Sequence, residues 1–273
     1  MKRLACLLLL ILTVTAAFAV RQTDTIAIAT DLVKPSPVKV TVALPASYLN
    51  PSDTAGYPVV YLLNGYSGNH TDYAFHNSLD SLATAYGVIF VCPDGRDSWY
   101  WDSPVDKSMQ MESFITETLV PEIDRLYRTE ADASHRAIAG LSMGGHGALW
   151  LAIRHPDIWS RTGSMSGGVD ITPKRFHKRW KMSRRLGPYA SDPARWKAHS
   201  VISLADSIEP GKTDIIITCG DSDFFIEENN ALSRALADRG ISHVFRTSEG
   251  NHSWNYWKQT LPSVLDFLTR GWK

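Results

Sequence analysis

The chain predicts an α/β fold: a mostly parallel central sheet with helices on both faces and an antiparallel start. Three observations carry that prediction. Short apolar runs of strand length alternate along the chain with longer runs at helical spacing. The first two strand-like segments are separated only by Pro35-Ser36-Pro37, a turn short enough for a hairpin. The glycine-flanked segment Gly140-Leu141-Ser142-Met143-Gly144 lies where an apolar run ends and a helical run begins.

Taken in order, Thr25 to Val33 and Pro37 to Leu44 alternate as the two hairpin strands. Val59 to Leu63 reads as a buried strand, Asn77 to Tyr86 as an amphipathic helix, and Gly87 to Cys92 as the next buried strand. Glu112 to Tyr127 puts Phe114, Ile115, Leu119, Ile123 and Leu126 on one helix face, and Pro121 predicts a bend in it. Arg136 to Ala139 is the strand before the glycine-flanked turn, and His146 to His155 the helix after it. Thr162 to Ser166 is a short strand, and Asp214 to Gly220 a buried strand ending in a glycine turn. Asn229 to Arg239, Val244 to Thr247 and Trp257 to Thr269 complete the alternation as helix, strand and helix.

The N-terminus has the parts of an export signal. Met1-Lys2-Arg3 is cationic, Leu4 to Val14 apolar, and Ala17-Phe18-Ala19 fits an A-x-A cleavage site. Residues 1–19 are therefore expected to be a signal peptide, leaving the protein periplasmic or secreted. The rival reading, an uncleaved anchor, needs a span of about 20 apolar residues, longer than this run. About 250 residues follow, within the range of one α/β domain. No repeat, low-complexity tract or linker divides them, so 20–273 is expected to be a single catalytic domain. The formal net charge is zero, which favours neither nucleic acid nor an anionic membrane as a partner. No Cys/His grouping has metal-ligand spacing, so no metal or other cofactor is expected. Beyond Cys6, the two cysteines, Cys92 and Cys219, each close a buried strand and are expected to stay unpaired.

A G-x-S-x-G turn between strand and helix is a nucleophile elbow, the mark of an α/β-hydrolase. Its glycines give room where neighbouring backbone passes too close for a Cβ, and its serine hydroxyl is pushed outward. Serine needs a base, and the base an orienting acid, in the chain order Ser, Asp or Glu, His. Asp223 follows the Asp214–Gly220 strand on the edge where open α/β sheets bind ligands. It is preferred over Asp221, which suits capping of the turn. Of nine histidines, His252 alone combines the right order with a loop setting beside a glycine, in Gly250-Asn251-His252. The candidate catalytic residues are thus Ser142, Asp223 and His252. An oxyanion hole needs two backbone N–H donors. Met143, next to the serine, is one candidate; the other is Tyr66, or alternatively Gly65, in the loop after Val59–Leu63.

Tyr61-Leu62-Leu63-Asn64-Gly65, Val91-Cys92-Pro93-Asp94-Gly95, the elbow, Cys219-Gly220-Asp221-Ser222-Asp223 and Gly250-Asn251-His252-Ser253-Trp254 carry a further signal. Together they resemble the esterase D family of α/β-hydrolases. That family includes feruloyl and acetyl-xylan esterases of carbohydrate esterase family one, tributyrin esterases, S-formylglutathione hydrolases and mycolyltransferases. The resemblance runs from about Val38 to Phe267 and implies the same triad and oxyanion donors. Asn64 departs from the His or Asp that many relatives carry before the glycine.

Trp99 and Trp101 follow a strand end, and Trp254 follows His252; all three are expected, with Gly65, to line the substrate cleft. Flat aromatic faces suit sugar rings or a phenolic acyl group. The cation-dense segment Pro173 to Arg185 falls where related hydrolases insert a cap, and reads either as a solvated face or as an attractor of acidic substrates. The expected function is an exported serine carboxylic-ester hydrolase, with feruloyl or acetyl esters of plant-wall polysaccharides as the favoured substrates. Small-ester hydrolysis (tributyrin or S-formylglutathione), acyl transfer, and a carbohydrate-binding protein that has lost catalysis are the alternatives.

Overall fold

The computed structural model describes residues 21–272; the expected signal peptide and Cys6 lie outside them. Eight strands make one sheet: β1 (Thr23–Ile28), β2 (Val38–Ala43), β3 (Val59–Leu63), β4 (Ile89–Pro93), β5 (Arg136–Leu141), β6 (Arg161–Met165), β7 (Asp214–Gly220) and β8 (His243–Ser248). Their order is β1-β2-β4-β3-β5-β6-β7-β8. β1 pairs antiparallel with β2, and β2 antiparallel with β4; every later pairing is parallel.

The central strands are apolar throughout because both their faces are covered. Along β3 the two-residue alternation sends Val59, Tyr61 and Leu63 into one apolar layer, and Val60 and Leu62 into the other. Helix Met143–Arg154 packs in the first layer. Helices Leu79–Tyr86 and Trp254–Leu268 bring Leu79, Ala83, Leu261, Val264 and Leu265 to the second.

Several boundaries differ from expectation. The first strand ends at Ile28, and Val33 bridges Met109 instead of extending the hairpin. The expected helix over 112–127 contains a π stretch, Phe114–Leu119, in which the Val120 N–H reaches back to Ile115. That wider register sits directly before Pro121, which has no N–H to give. The last helix begins at Trp254, three residues earlier than its apolar spacing indicates. Cys92 and Cys219 are buried and unpaired on β4 and β7, which are not neighbours in the sheet.

Candidate active site

β5 delivers Ser142 to the C-terminal edge of the sheet and turns at once into helix Met143–Arg154. Ser142 has φ 54° and ψ −117°, a conformation that costs a residue with a Cβ. The turn is held closed on both sides. The Ser142 N–H donates to the Met165 carbonyl (2.9 Å), and its own carbonyl accepts from the His146 N–H (3.0 Å). A Cβ on Gly140 would lie 2.2 Å from the Gly144 oxygen, and one on Gly144 would lie 2.1 Å from the Leu63 oxygen. Both obstructions are backbone, so only glycine fits.

β7 and β8 bring the partners. Asp223, buried just past β7, accepts the Phe225 N–H at 2.9 Å. The His252 Nδ1–H donates to Asp223 at 2.8 Å (Oδ2) and 3.0 Å (Oδ1). A carboxylate can only accept here, so Nδ1 carries the proton and Nε2 is left as the acceptor. The Ser142 hydroxyl donates to that Nε2 at 2.9 Å. Asp221 is exposed and turns elsewhere: it accepts the Gly250 N–H at 3.3 Å and so fastens the loop that carries His252.

The loop after β3 packs against Ser142. A Cβ on Gly65 would meet the Leu141 side chain at 2.8 Å and the Ser142 Cβ at 3.4 Å. The Gly68 N–H closes the turn on the Gly65 carbonyl at 3.1 Å. Met143 is the first residue of its helix, so its N–H has no acceptor within the helix. Among the described residues the Tyr66 N–H donates no hydrogen bond. Asn64 is buried beneath: its Oδ1 accepts the Gly95 N–H (2.9 Å) and its Nδ2 donates to the Gly65 carbonyl (2.9 Å).

These groups open into a cleft of about 520 Å³ containing Ser142, His252, Gly65, Tyr66 and Trp254. The Trp254 ring stacks on His76 with centroids 3.9 Å apart. Asp72, Phe224 and Trp180 also line it without having been sequence candidates for substrate contact, and Arg179 lines it from the cation-dense segment. The Phe224 ring lies 4.2 Å from the His252 ring, a position set simply by its following Asp223. Asp72 is half-buried, and burial pushes its carboxyl above the usual range.

Trp99 and Trp101 correct the expectation. Both are fully buried in the core and neither lines the cleft. The loop after β4 doubles back through positive φ at Trp99 (58°) and Tyr100 (63°), which folds its aromatics inward under the elbow helix. Trp99 and Trp101 stack on each other, and the Trp101 indole N–H donates to His146 Nε2 at 2.8 Å. Gly147 makes the room: a Cβ there would lie 2.3 Å from the Tyr100 ring. A glycine inside a helix was the one signal in the sequence that something bulky sits against it.

Comparisons with known proteins agree with this architecture. The family model described as "Putative esterase" matches residues 34–268. An acetyl esterase of Caldicellulosiruptor saccharolyticus is 25% identical over 228 residues, covering 80% of this chain and 85% of its own. S-formylglutathione hydrolase of Mus musculus is 26% identical over 238 residues, covering 77% and 82%. Among solved structures, a ferulic acid esterase superposes with a TM-score of 0.78 at 26% identity, over 91% of this chain and 97% of that one. The S-formylglutathione hydrolase of Staphylococcus aureus, at 19% identity and a TM-score of 0.77, shares the fold over 91% of this chain and 98% of its own. With the family model spanning nearly all of the described residues, the chain belongs to the esterase family of α/β-hydrolases and is a carboxylic ester hydrolase.

Proposed function

We propose that this chain is an exported serine esterase that works through an acyl-enzyme, with Ser142 as nucleophile, His252 as base and Asp223 as its orienting acid. The observation that carries the reading is the continuous hydrogen bonding from Asp223 through His252 to Ser142 at the floor of an open cleft. Asp223 fixes the tautomer, so His252 Nε2 takes the Ser142 proton as the oxygen attacks the ester carbonyl. The Met143 and Tyr66 N–H groups hold the resulting oxyanion. His252 then gives its proton to the departing alcohol. Water, deprotonated by the same nitrogen, attacks the acyl-enzyme and releases the acid.

For the substrate we favour acetyl or feruloyl esters on plant-wall polysaccharide. Relatives named acetyl esterase and ferulic acid esterase support this, as do the flat faces of Trp180, Phe224 and Trp254 around the cleft. The N-terminal sequence supports export. The likeness to S-formylglutathione hydrolases favours a second reading, hydrolysis of small acyl esters or thioesters.

Chromatography of acids released from acetylated and feruloylated wall oligosaccharides, with Ser142→Ala as control, tests the proposal. Acetate or ferulate from the wild type alone is the expected result. Cleavage of a simple aryl acetate without either acid would move the assignment to small esters. Full turnover by pure Ser142→Ala would overturn the nucleophile.

A further inference from the structure

The segment that crosses the mouth of the cleft is held at its two ends and carries uncommitted charge between them. At one end Arg175 pairs with Glu227 and Glu228 at the start of helix Ile226–Asp238. At the other, Arg185 is nearly buried and pairs with Asp97 and Asp106. Phe176, Met182 and Leu186 point into the core and fix the segment to the body. Between these anchors Lys178, Arg179, Lys181 and Arg184 are exposed. Among the described residues none of the four lies within ion-pair distance of a carboxylate.

One of these cations faces the site. Arg179 lines the same cleft as Ser142 and His252, beside Trp180. Arg184 follows in the same segment, exposed and without a carboxylate partner among the described residues. Asp97 and Asp106 share the single guanidinium of Arg185. The one acid in the lining, Asp72, belongs to the segment after β3, not to this one. The 178–184 segment thus brings an unpaired guanidinium, Arg179, into the cleft, with Lys178, Lys181 and Arg184 unpaired beside it in sequence.

From this arrangement we infer that the preferred substrate is an anionic ester, one bearing a carboxylate beyond the reacting carbonyl that Arg179 receives in the cleft, with the neighbouring unpaired cations of the 178–184 segment adding to its attraction. This rests on the esterase reading above and narrows it. A carboxylate there can accept from the Arg179 guanidinium, which donates in a planar fork beside the Trp180 ring. The same chemistry arises in two ways: an acid group on the alcohol, as in a uronate-bearing saccharide, or one on the acyl part, as in a dicarboxylic monoester.

Matched probes differing by one charge test it. For the alcohol side, 4-acetoxybenzoate is compared with 4-acetoxybenzamide; for the acyl side, a nitrophenyl monoglutarate with its glutaramate. At low ionic strength the wild type should favour the charged member of at least one pair by about threefold to tenfold in kcat/KM. The preferred pair identifies which part carries the charge. Raising NaCl to about 0.5 M should erase most of the preference by screening. Arg179→Gln should reduce the charged-to-neutral ratio, with Arg179→Lys retaining part of it, and Arg179→Gln/Arg184→Gln should bring it near one. Equal or inverted ratios in the wild type, or a ratio unmoved by the double variant, overturn the inference while the esterase assignment stands. Failure to turn over either member of both pairs would instead count against the esterase reading itself.

Discussion

The Tyr100 hydroxyl lies 3.1 Å from both the backbone and the side-chain oxygen of Asn64, so the loop after β4 grips the loop after β3. Asn64 in turn holds Gly95 through its side-chain oxygen and Gly65 through its amide nitrogen. One buried amide thus fixes the turn that carries the Tyr66 N–H.

Asn64→Ala should cost about 1–3 kcal/mol of stability, because the Gly95 N–H is left buried without its acceptor. It should also lower kcat by about tenfold with little change in KM, since a misplaced oxyanion donor is felt mainly in the transition state. Tyr100→Phe should be milder, because the Asn64 bonds to Gly95 and Gly65 remain. Thermal melts with steady-state kinetics check both; a folded Asn64→Ala protein with wild-type kcat would remove the loop-positioning role.

Ser142 provides a second test. At φ 54° a Cβ is strained, so the usual order of Ala over Gly should invert at this position. Ser142→Gly should be more stable than Ser142→Ala by about 1 kcal/mol, and both should lack esterase activity. Urea midpoints for the two variants decide it, and Ser142→Ala proving the more stable would mean the elbow carries no strain.

Burial drives a pH prediction at His146. Its Nδ1–H donates to the Gly168 carbonyl (2.9 Å), and its Nε2 accepts from the Trp101 indole. A second ring proton would face a donor, and burial lowers the pKa from 6.5 to about 3 against the smaller effect of the Gly168 bond. The folded value lies below the unfolded one, so unfolded chains bind the extra proton first as pH falls. This contribution is full above about pH 6.5 and declines toward pH 3, with a slope of up to about 1.4 kcal/mol per pH unit. His199, also lowered by burial, acts in the same direction. Urea titrations between about pH 7 and pH 4 should show the loss, and His146→Gln should flatten part of it. A His146→Gln profile as steep as the wild type would exclude His146 as a source.

Much of the site was legible because its chemistry requires residues that cannot hide. Gly140 and Gly144 are dictated by backbone contacts at 2.2 and 2.1 Å, so the elbow is written into the chain as a pattern. Chain order and loop position then singled out His252 and preferred Asp223 over Asp221, and the structure joins them to Ser142. The sheet was equally readable, since strands covered on both faces are apolar without interruption. What failed was direction. Position after a strand end placed Trp99 and Trp101 at the cleft, but positive φ at Trp99 and Tyr100 reverses the loop, which local spacing does not encode. Arg179 and Trp180 reach the cleft from the cation-dense segment, whose charge density left both a solvated face and an attractor of acidic substrates open, and Phe224 reaches it by adjacency to Asp223 with no motif to mark it.

The separation of the three interacting side chains has a consequence for when activity first becomes possible. Ser142 and His252 are 110 residues apart, and His252 follows β8, which pairs with β7 alone at the sheet edge. As the chain is made, Ser142 emerges long before His252, and β7 must be in place before β8 has anything to pair with. A chain arrested anywhere short of residue 252 lacks the imidazole that the Ser142 hydroxyl is bonded to, so on the proposed mechanism the order of assembly keeps that hydroxyl silent until the sheet is finished.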